Sequence, residues 1–460
     1  VTEYSQTLVA ANALLPDGWA RDVYLEITAD GRFASVTPNS QQDGAPFLPG
    51  AIIPGMPNVH SHAFQRALAG RVESLIDGAD SFWSWRSGMY ALANTITPDD
   101  CEAIATQVYV EMLEAGYTSV GEFNYVHHDR DGTPFAVRSE MAQRLLSAAE
   151  TAGIGITLLP VFYRWSGFGR AEPLPEQRRF VTDIDTFAAM LDELRPLCAT
   201  PTRRLGIAPH SLRAVTLDDL RDVISALDSR DVDAPIHMHL AEQTAEVDAC
   251  VSAYGLRPAA WLCEHVALSP RWCAIHATHL TAAEMNTLAS TGTTVGVTPT
   301  TEANLGDGIF ALQAWTGAGG ALAIGSDSHV SVNVTEELRW LEYIQRLKTQ
   351  RRTISESPEA LYVAAARGGA RALGRPIGNI AAGARADFVV LDPSAPSVAG
   401  HDVSGLLDRY VTTGGRGALR EVYCGGRRVV ADGRHLDRER IAARYRLTQL
   451  KCDQDARRIS

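Results

Sequence analysis

Lysine is almost missing from this chain. Among 42 basic residues only Lys348 and Lys451 are lysine, and the rest are arginine. Coding bias accounts for most of that skew, but it has a chemical consequence. A carbamylated lysine bridging two metal ions has no residue to form on before Leu347. Cysteine is scattered and odd in number, seven in all with no C-x-x-C pair, so neither a disulfide framework nor a cysteine–zinc knot is expected. No apolar run approaches the roughly 18 residues that a membrane helix needs. No basic face offsets the net charge of −12, which argues against nucleic acid as a partner. The opening residues Val1-Thr2-Glu3-Tyr4-Ser5-Gln6 lack the basic-then-apolar build of an export signal, so the expected compartment is the cytoplasm. What remains is ordinary for a globular enzyme: 45% hydrophobic over 460 residues, enough for one large domain and a smaller one.

Both ends of the chain read as β. Asp22–Ile27 and Phe33–Val36 flank an Asp30-Gly31 turn; Glu421–Cys424 and Arg427–Val430 bracket Gly425-Gly426, and Ala386–Asp392 is a buried-type strand. Neither end has enough strands to cover its own face. One small β-sandwich domain assembled from residues 1–50 and 380–434 is therefore expected. Between them, eight apolar strand candidates alternate with helical stretches: Ala51–His62, Thr118–Phe123, Ile154–Val161, Arg204–His210, Ala234–His239, Cys273–His276, Thr293–Val297 and Ala321–Asp327. One intervening helix, Asp99–Ala115, opens after Thr97-Pro98 and stops at Gly116. Eight alternations make an α/β fold of the TIM-like (β/α)8 type over residues 51–379. The arginine- and acid-rich residues 435–460 read as a helical tail.

Histidine marks one mouth of that barrel. Ten of the 13 histidines fall at or just beyond the C-terminal ends of strand candidates, the end where such barrels carry chemistry. His60 and His62 lie two apart on an extended strand and so share a face. With His239 from strand five and Asp327 from strand eight they compose three imidazoles and one carboxylate, a first shell for one metal with room for one water. A metal there lowers the pKa of that water toward neutrality. Glu242, three residues beyond His239, is placed to take the water's proton and return it to a leaving nitrogen. His276 either coordinates or hydrogen-bonds the attacked group; spacing does not separate the two. His237 lies one layer deeper and reads as packing or support. His127, His128, His279 and His329 receive no role.

The chain resembles the amidohydrolase superfamily, and within it the formimidoylglutamate deiminases, over essentially its whole length. The superfamily likeness rests on His60-Ser61-His62 and Ser326-Asp327. The specific likeness rests on His62-Ala63-Phe64-Gln65-Arg66, Phe82-Trp83-Ser84-Trp85-Arg86 and Pro209-His210-Ser211-Leu212-Arg213-Ala214, with Glu122–Asp129 and His237–Gln243 in support. The resemblance implies a single zinc ion per subunit on His60, His62, His239 and Asp327, with iron or another divalent metal compatible. It implies that Asp327 also accepts a proton, that Glu242 shuttles protons to an amidine, and that His276 polarises the attack. Gln65, Arg86, Tyr125, His210 and Arg213 match substrate-contacting positions. A homodimer and a small anionic amidine substrate follow from the same likeness. Bridged two-metal relatives use a carbamylated lysine or an acid on an inner strand; strand candidates three and four carry neither, so one metal is expected. The competing readings are a deaminase of purine, pyrimidine or triazine rings, cleavage of the same substrate to formamide and glutamate, and a non-catalytic barrel scaffold.

Overall fold

The computed structural model describes residues 4–40, 44–73, 82–400 and 402–459. Val1–Glu3 and the side chains of Phe82 and Trp83, used above for targeting and family likeness, lie outside the described residues.

Eight parallel strands form the central barrel. In chain order they are β1 (Met56–Ser61), β2 (Tyr117–Asn124), β3 (Gly155–Phe162), β4 (Arg203–Leu205, resumed at Ala208–Pro209), β5 (Ile236–Leu240), β6 (Trp272–His276), β7 (Thr294–Val297) and β8 (Ala321–Ile324). Neighbours pair within β1–β4 and within β5–β8. Parallel bridges Ile207↔Ile236 and Ser61↔Asp327 join the two sets at both seams, so the cylinder closes. Almost every strand residue is buried, because helices cover the outside and side chains fill the inside. This is why the strands read as short unbroken apolar runs.

The run Ala51–His62 is not one strand. It breaks at Gly55, where the chain passes from a second sheet into the barrel. Residues 51–54 pair antiparallel with Phe388–Leu391, and β1 pairs with β2. A Cβ on Gly55 would lie 2.2 Å from the Thr118 side chain, so the crossing requires glycine. The second sheet has eight strands in the order Arg434–His435, Arg427–Ala431, Leu419–Cys424, Phe388–Leu391, Phe47–Pro54, Tyr4–Leu15, Gly18–Thr28, Phe33–Thr37. Both expected hairpins are there. Tyr4–Leu15 escapes a sequence reading because its alanines and polar residues blur any alternation. The sheet is continuous and folds over itself: the Phe33 amide donates to Ala384 O at 2.9 Å, and the Phe33 and Phe388 rings lie 6.1 Å apart. Period-two alternation then divides its labour. Phe388 and Val390 face the sheet's own core, whereas Val389 and Leu391 join the core of the barrel.

Helix Pro98–Glu114 starts on a capping box, Thr97 Oγ1 accepting from the Asp100 amide while Asp100 accepts from the Thr97 amide. The tail helix begins at Arg438, after Arg434–His435 has closed the sheet, and packs on that capped helix through Lys451–Asp100 at 2.6 Å and Arg444–Glu102 at 2.9 Å. None of the described helices is long and apolar enough to cross a membrane.

Candidate metal centre and active site

The carboxyl ends of β1, β5, β6 and β8 bring the expected groups together. His60 and His62 point Nε2 at the same oxygen, Asp327 Oδ1, from 3.5 and 3.4 Å. Nε2 of His239 is 3.1 Å from Nε2 of His60. His62 donates Nδ1–H to Phe123 O at 2.9 Å, which fixes its tautomer and leaves Nε2 bare for a ligand. Burial favours the neutral ring in each case: it pushes His60 down to about 3, lowers His62, and holds His239 well below its ordinary value. Burial pushes the Asp327 carboxyl up, but His60, then His62 and His276, more than reverse this and hold it below the usual carboxylate range. His60 is shared by two ligand groups, one with His62 and Asp327 and one with His239 and His276, and these neutral nitrogens with an ionised carboxylate in a buried pocket suit a zinc-like cation.

His276 and Asp327 both have left-handed backbones, φ 67° and 49°. Such conformations cost on the order of 1–3 kcal/mol each and persist where surrounding structure imposes them. Here they turn two side chains from strand ends toward one point. His276 Nε2 lies 3.9 Å from Asp327 Oδ2 and 3.8 Å from Glu242 Oε1. It also falls within one candidate ligand cluster with His60 and His239, so it borders the metal position. Burial lowers the His276 pKa, but Glu242, Glu302 and Asp327 outweigh it and raise it to about 10. Glu242 is pushed up by burial against the opposing influence of His276 and Arg213.

Above these groups opens a cleft of ≈ 710 Å³, its mouth included. Gln65, Arg86, Tyr125, His210 and Arg213 all line it, together with His62, His239, Glu242, His276 and Asp327. Gln65 donates to the Tyr125 hydroxyl at 2.7 Å. His210 is held neutral by burial and by the Arg213 charge, and its Nδ1 lies 3.0 Å from Ser211 Oγ. Arg213 is largely buried: Nη2 lies 3.9 Å from Glu242 Oε2, and its Nε is buried without a hydrogen-bond partner. The Arg86 guanidinium sits 5.5 Å over the Tyr90 ring.

Four of the remaining histidines tie to backbone carbonyls, and a fifth to two serines. Nε2 of His127, His128, His237 and His279 meets the carbonyls of Val161, Val181, Ala372 and Asp307 at 2.7–2.8 Å. His329 lies between Ser326 Oγ and Ser61 Oγ at 3.0 and 3.1 Å. The sequence reading missed Thr298 and Glu302, which meet His276, and Asp307, which joins Glu242 and His276 in one cluster. It also missed the aromatic wall of Trp85, Tyr90, Tyr163 and Phe180. An acid three residues after a Thr-Pro turn carries no local signal of such a role.

The sequence profile of the amidohydrolase family matches residues 51–429, which spans the whole barrel. The chain belongs to the amidohydrolase family. A second profile, described as the N-terminal domain of formimidoylglutamate deiminase HutF, matches residues 6–46. This amidohydrolase is 48% identical to the formimidoylglutamate deiminase of Pseudomonas aeruginosa, over 95% of its own length and 97% of the relative's. It is 28% identical to a 5-methylthioadenosine/S-adenosylhomocysteine deaminase of Natronomonas pharaonis, covering 83% and 81%. Among solved structures it superposes on an amidohydrolase from Brucella melitensis with a TM-score of 0.91 at 42% identity, covering 97% and 100%. An adenosine deaminase from Xanthomonas campestris, solved with bound zinc, shares the fold at TM-score 0.81 and 24% identity, covering 98% of each chain.

Proposed function

We propose that this amidohydrolase hydrolyses N-formimidoyl-L-glutamate to N-formyl-L-glutamate and ammonia, a step of histidine degradation. The observation that carries the reading is the pairing of a buried donor set with two cleft arginines, in a protein whose net charge of −12 repels anions. A substrate with two carboxylates is drawn in only by local guanidiniums, whose planar fork matches a carboxylate. The deiminase at 48% identity supports the same assignment.

His60, His62, His239 and Asp327 would hold one zinc-like ion, which when bound makes a water nucleophilic near neutral pH. Asp327 serves also as the acceptor for that water's proton, since Oδ2 is turned toward His276 and away from the His60 and His62 nitrogens that meet Oδ1. Glu242 then delivers a proton to the terminal amidine nitrogen, which leaves as ammonia. His276 steadies the group under attack through Nε2. Arg213 and Arg86 bind the glutamate carboxylates, and Gln65, Tyr125 and His210 supply neutral contacts. A homodimer in the cytoplasm completes the reading.

An ammonia-release assay on formimidoylglutamate, beside guanine and cytosine, tests the substrate class, and mass spectrometry of the products tests the bond broken. Formylglutamate is expected; free glutamate with formamide means that the other nitrogen leaves and that Glu242 is misassigned. The aromatic wall offers a ring somewhere to stack, which keeps the ring deaminases as the second reading. Turnover of guanine or cytosine alone would establish it.

A further inference from the structure

Neither β7 nor the segment after it supplies any of the groups assigned above. That segment nevertheless sets a carboxylate against His276. Glu302 lies in the helix Pro299–Leu305 and is 1% exposed. Its Oε1 accepts from the Thr298 amide at 2.9 Å and lies 3.4 Å from Nδ1 of His276, while Thr298 Oγ1 is 3.2 Å from the same nitrogen. A carboxylate oxygen only accepts, so the hydrogen of this pair belongs to Nδ1. The other ring nitrogen, Nε2, is the one turned to Glu242 and Asp327. The ring thus has a fixed back and a working front.

We propose that Glu302 is a positioning residue of the hydrolysis: with Thr298 it holds Nδ1–H of His276 and keeps Nε2 aimed at the carbon under attack. Carboxylates that orient an imidazole in this way set its tautomer as well as its direction. The plain alternative is architectural, because the same oxygen ties Glu302 to the Thr298 amide. The two roles differ in one respect. A residue that acts through His276 has nothing left to do once His276 is gone. This inference rests on the deiminase reading only for the reaction that serves as readout.

The test uses metal-loaded protein in a double-mutant cycle. Glu302→Ala is expected to lower kcat by about 10²-fold or more, the size of a lost acid–base contribution, with KM within about threefold by the same argument and metal content unchanged. Glu302→Gln keeps an acceptor oxygen in place and should recover about tenfold of that loss. In a His276→Ala background, Glu302→Ala should cost no more than about a further threefold. A second readout needs no substrate. In histidine-labelled protein, the His276 side-chain signals, identified by their loss in His276→Ala, should show a hydrogen-bonded Nδ1–H, and the shift that marks this bond should be lost in Glu302→Ala. Additive losses in the two backgrounds, or an Nδ1 without this hydrogen bond in the parent protein, would overturn the assignment. If the parent releases no ammonia from formimidoylglutamate while the Nδ1–H hydrogen bond depends on Glu302, the substrate reading fails and the positioning role stands.

Discussion

Arg213 separates substrate class from chemistry at the scale of a single residue. Its guanidinium is buried in the cleft beside Glu242, with Nε unpartnered. Losing one partner of a buried, hydrogen-bonded charge pair costs about 2–5 kcal/mol. Arg213→Met should therefore lower kcat/KM for formimidoylglutamate by roughly 30- to several-thousand-fold, with metal content intact. Arg213→Lys should restore only part, since an ammonium keeps the charge and loses the fork. A small neutral formamidine, poor for the parent, should be nearly indifferent to the change. Equal losses on both compounds would make Arg213 a support of the cleft rather than a reader of glutamate. Asp327 is the complementary case. Elemental analysis of the parent should give one divalent ion per subunit, as the chain has no lysine before Lys348 to carry a bridging carbamate. Asp327→Ala removes a ligand and a proton acceptor together, so both metal content and activity should fall, activity by more than the roughly 10²–10⁴-fold of proton transfer alone. Two ions per subunit at full activity would refute the single-metal centre.

At the scale of elements, the loop after β2 is tied to β3 by a buried neutral histidine. His127 is pushed down to about 3 by burial first and by its neighbour His128 second, and Nε2 meets Val161 O at 2.7 Å. The unfolded chain takes up a proton near the ordinary value of 6.5 while the folded one does not. Below that pH the unfolded state binds more protons, so stability falls as pH falls from 6.5 toward 3. The slope from this one group is at most about 1.4 kcal/mol per pH unit. Urea unfolding at pH 7.5 and 5.5 should thus show His127→Gln losing about 1 kcal/mol less than the parent on acidification; an equal loss would remove His127 from the acid response. Such elements also show what a sequence can disclose. All eight barrel strands were legible, since a buried parallel strand writes itself as a short apolar run and histidines punctuate its end. The sheet crossing at Gly55 was not, for the constraint is a neighbouring Thr118 side chain more than sixty positions away. Glu302 was equally silent: its meaning lies in a contact with β6, and nothing near it in the chain names that partner.

For the whole molecule, the terminal sheet and the barrel share side chains strand by strand. Val389, Leu391, Leu419 and Val422 belong to the barrel's core, although their strands are hydrogen-bonded into the sheet. A barrel cut out as residues 55–379 would expose that apolar seam, and it should be insoluble or fail to fold when expressed alone. Calorimetry of the intact protein should show one cooperative transition; two well-separated transitions would mean that sheet and barrel are energetically independent. The same seam sets a schedule for synthesis. The strand Phe47–Pro54 pairs with Phe388–Leu391, so about 330 residues must leave the ribosome before that early strand meets its second neighbour. At ~5–20 residues per second this is roughly 15–70 s, during which Phe47–Pro54 stands as an uncovered edge beside Tyr4–Leu15, over a half-built core. The nascent chain is most open to chaperones, proteases and its own copies in that interval, before the last strand releases it into the folded state.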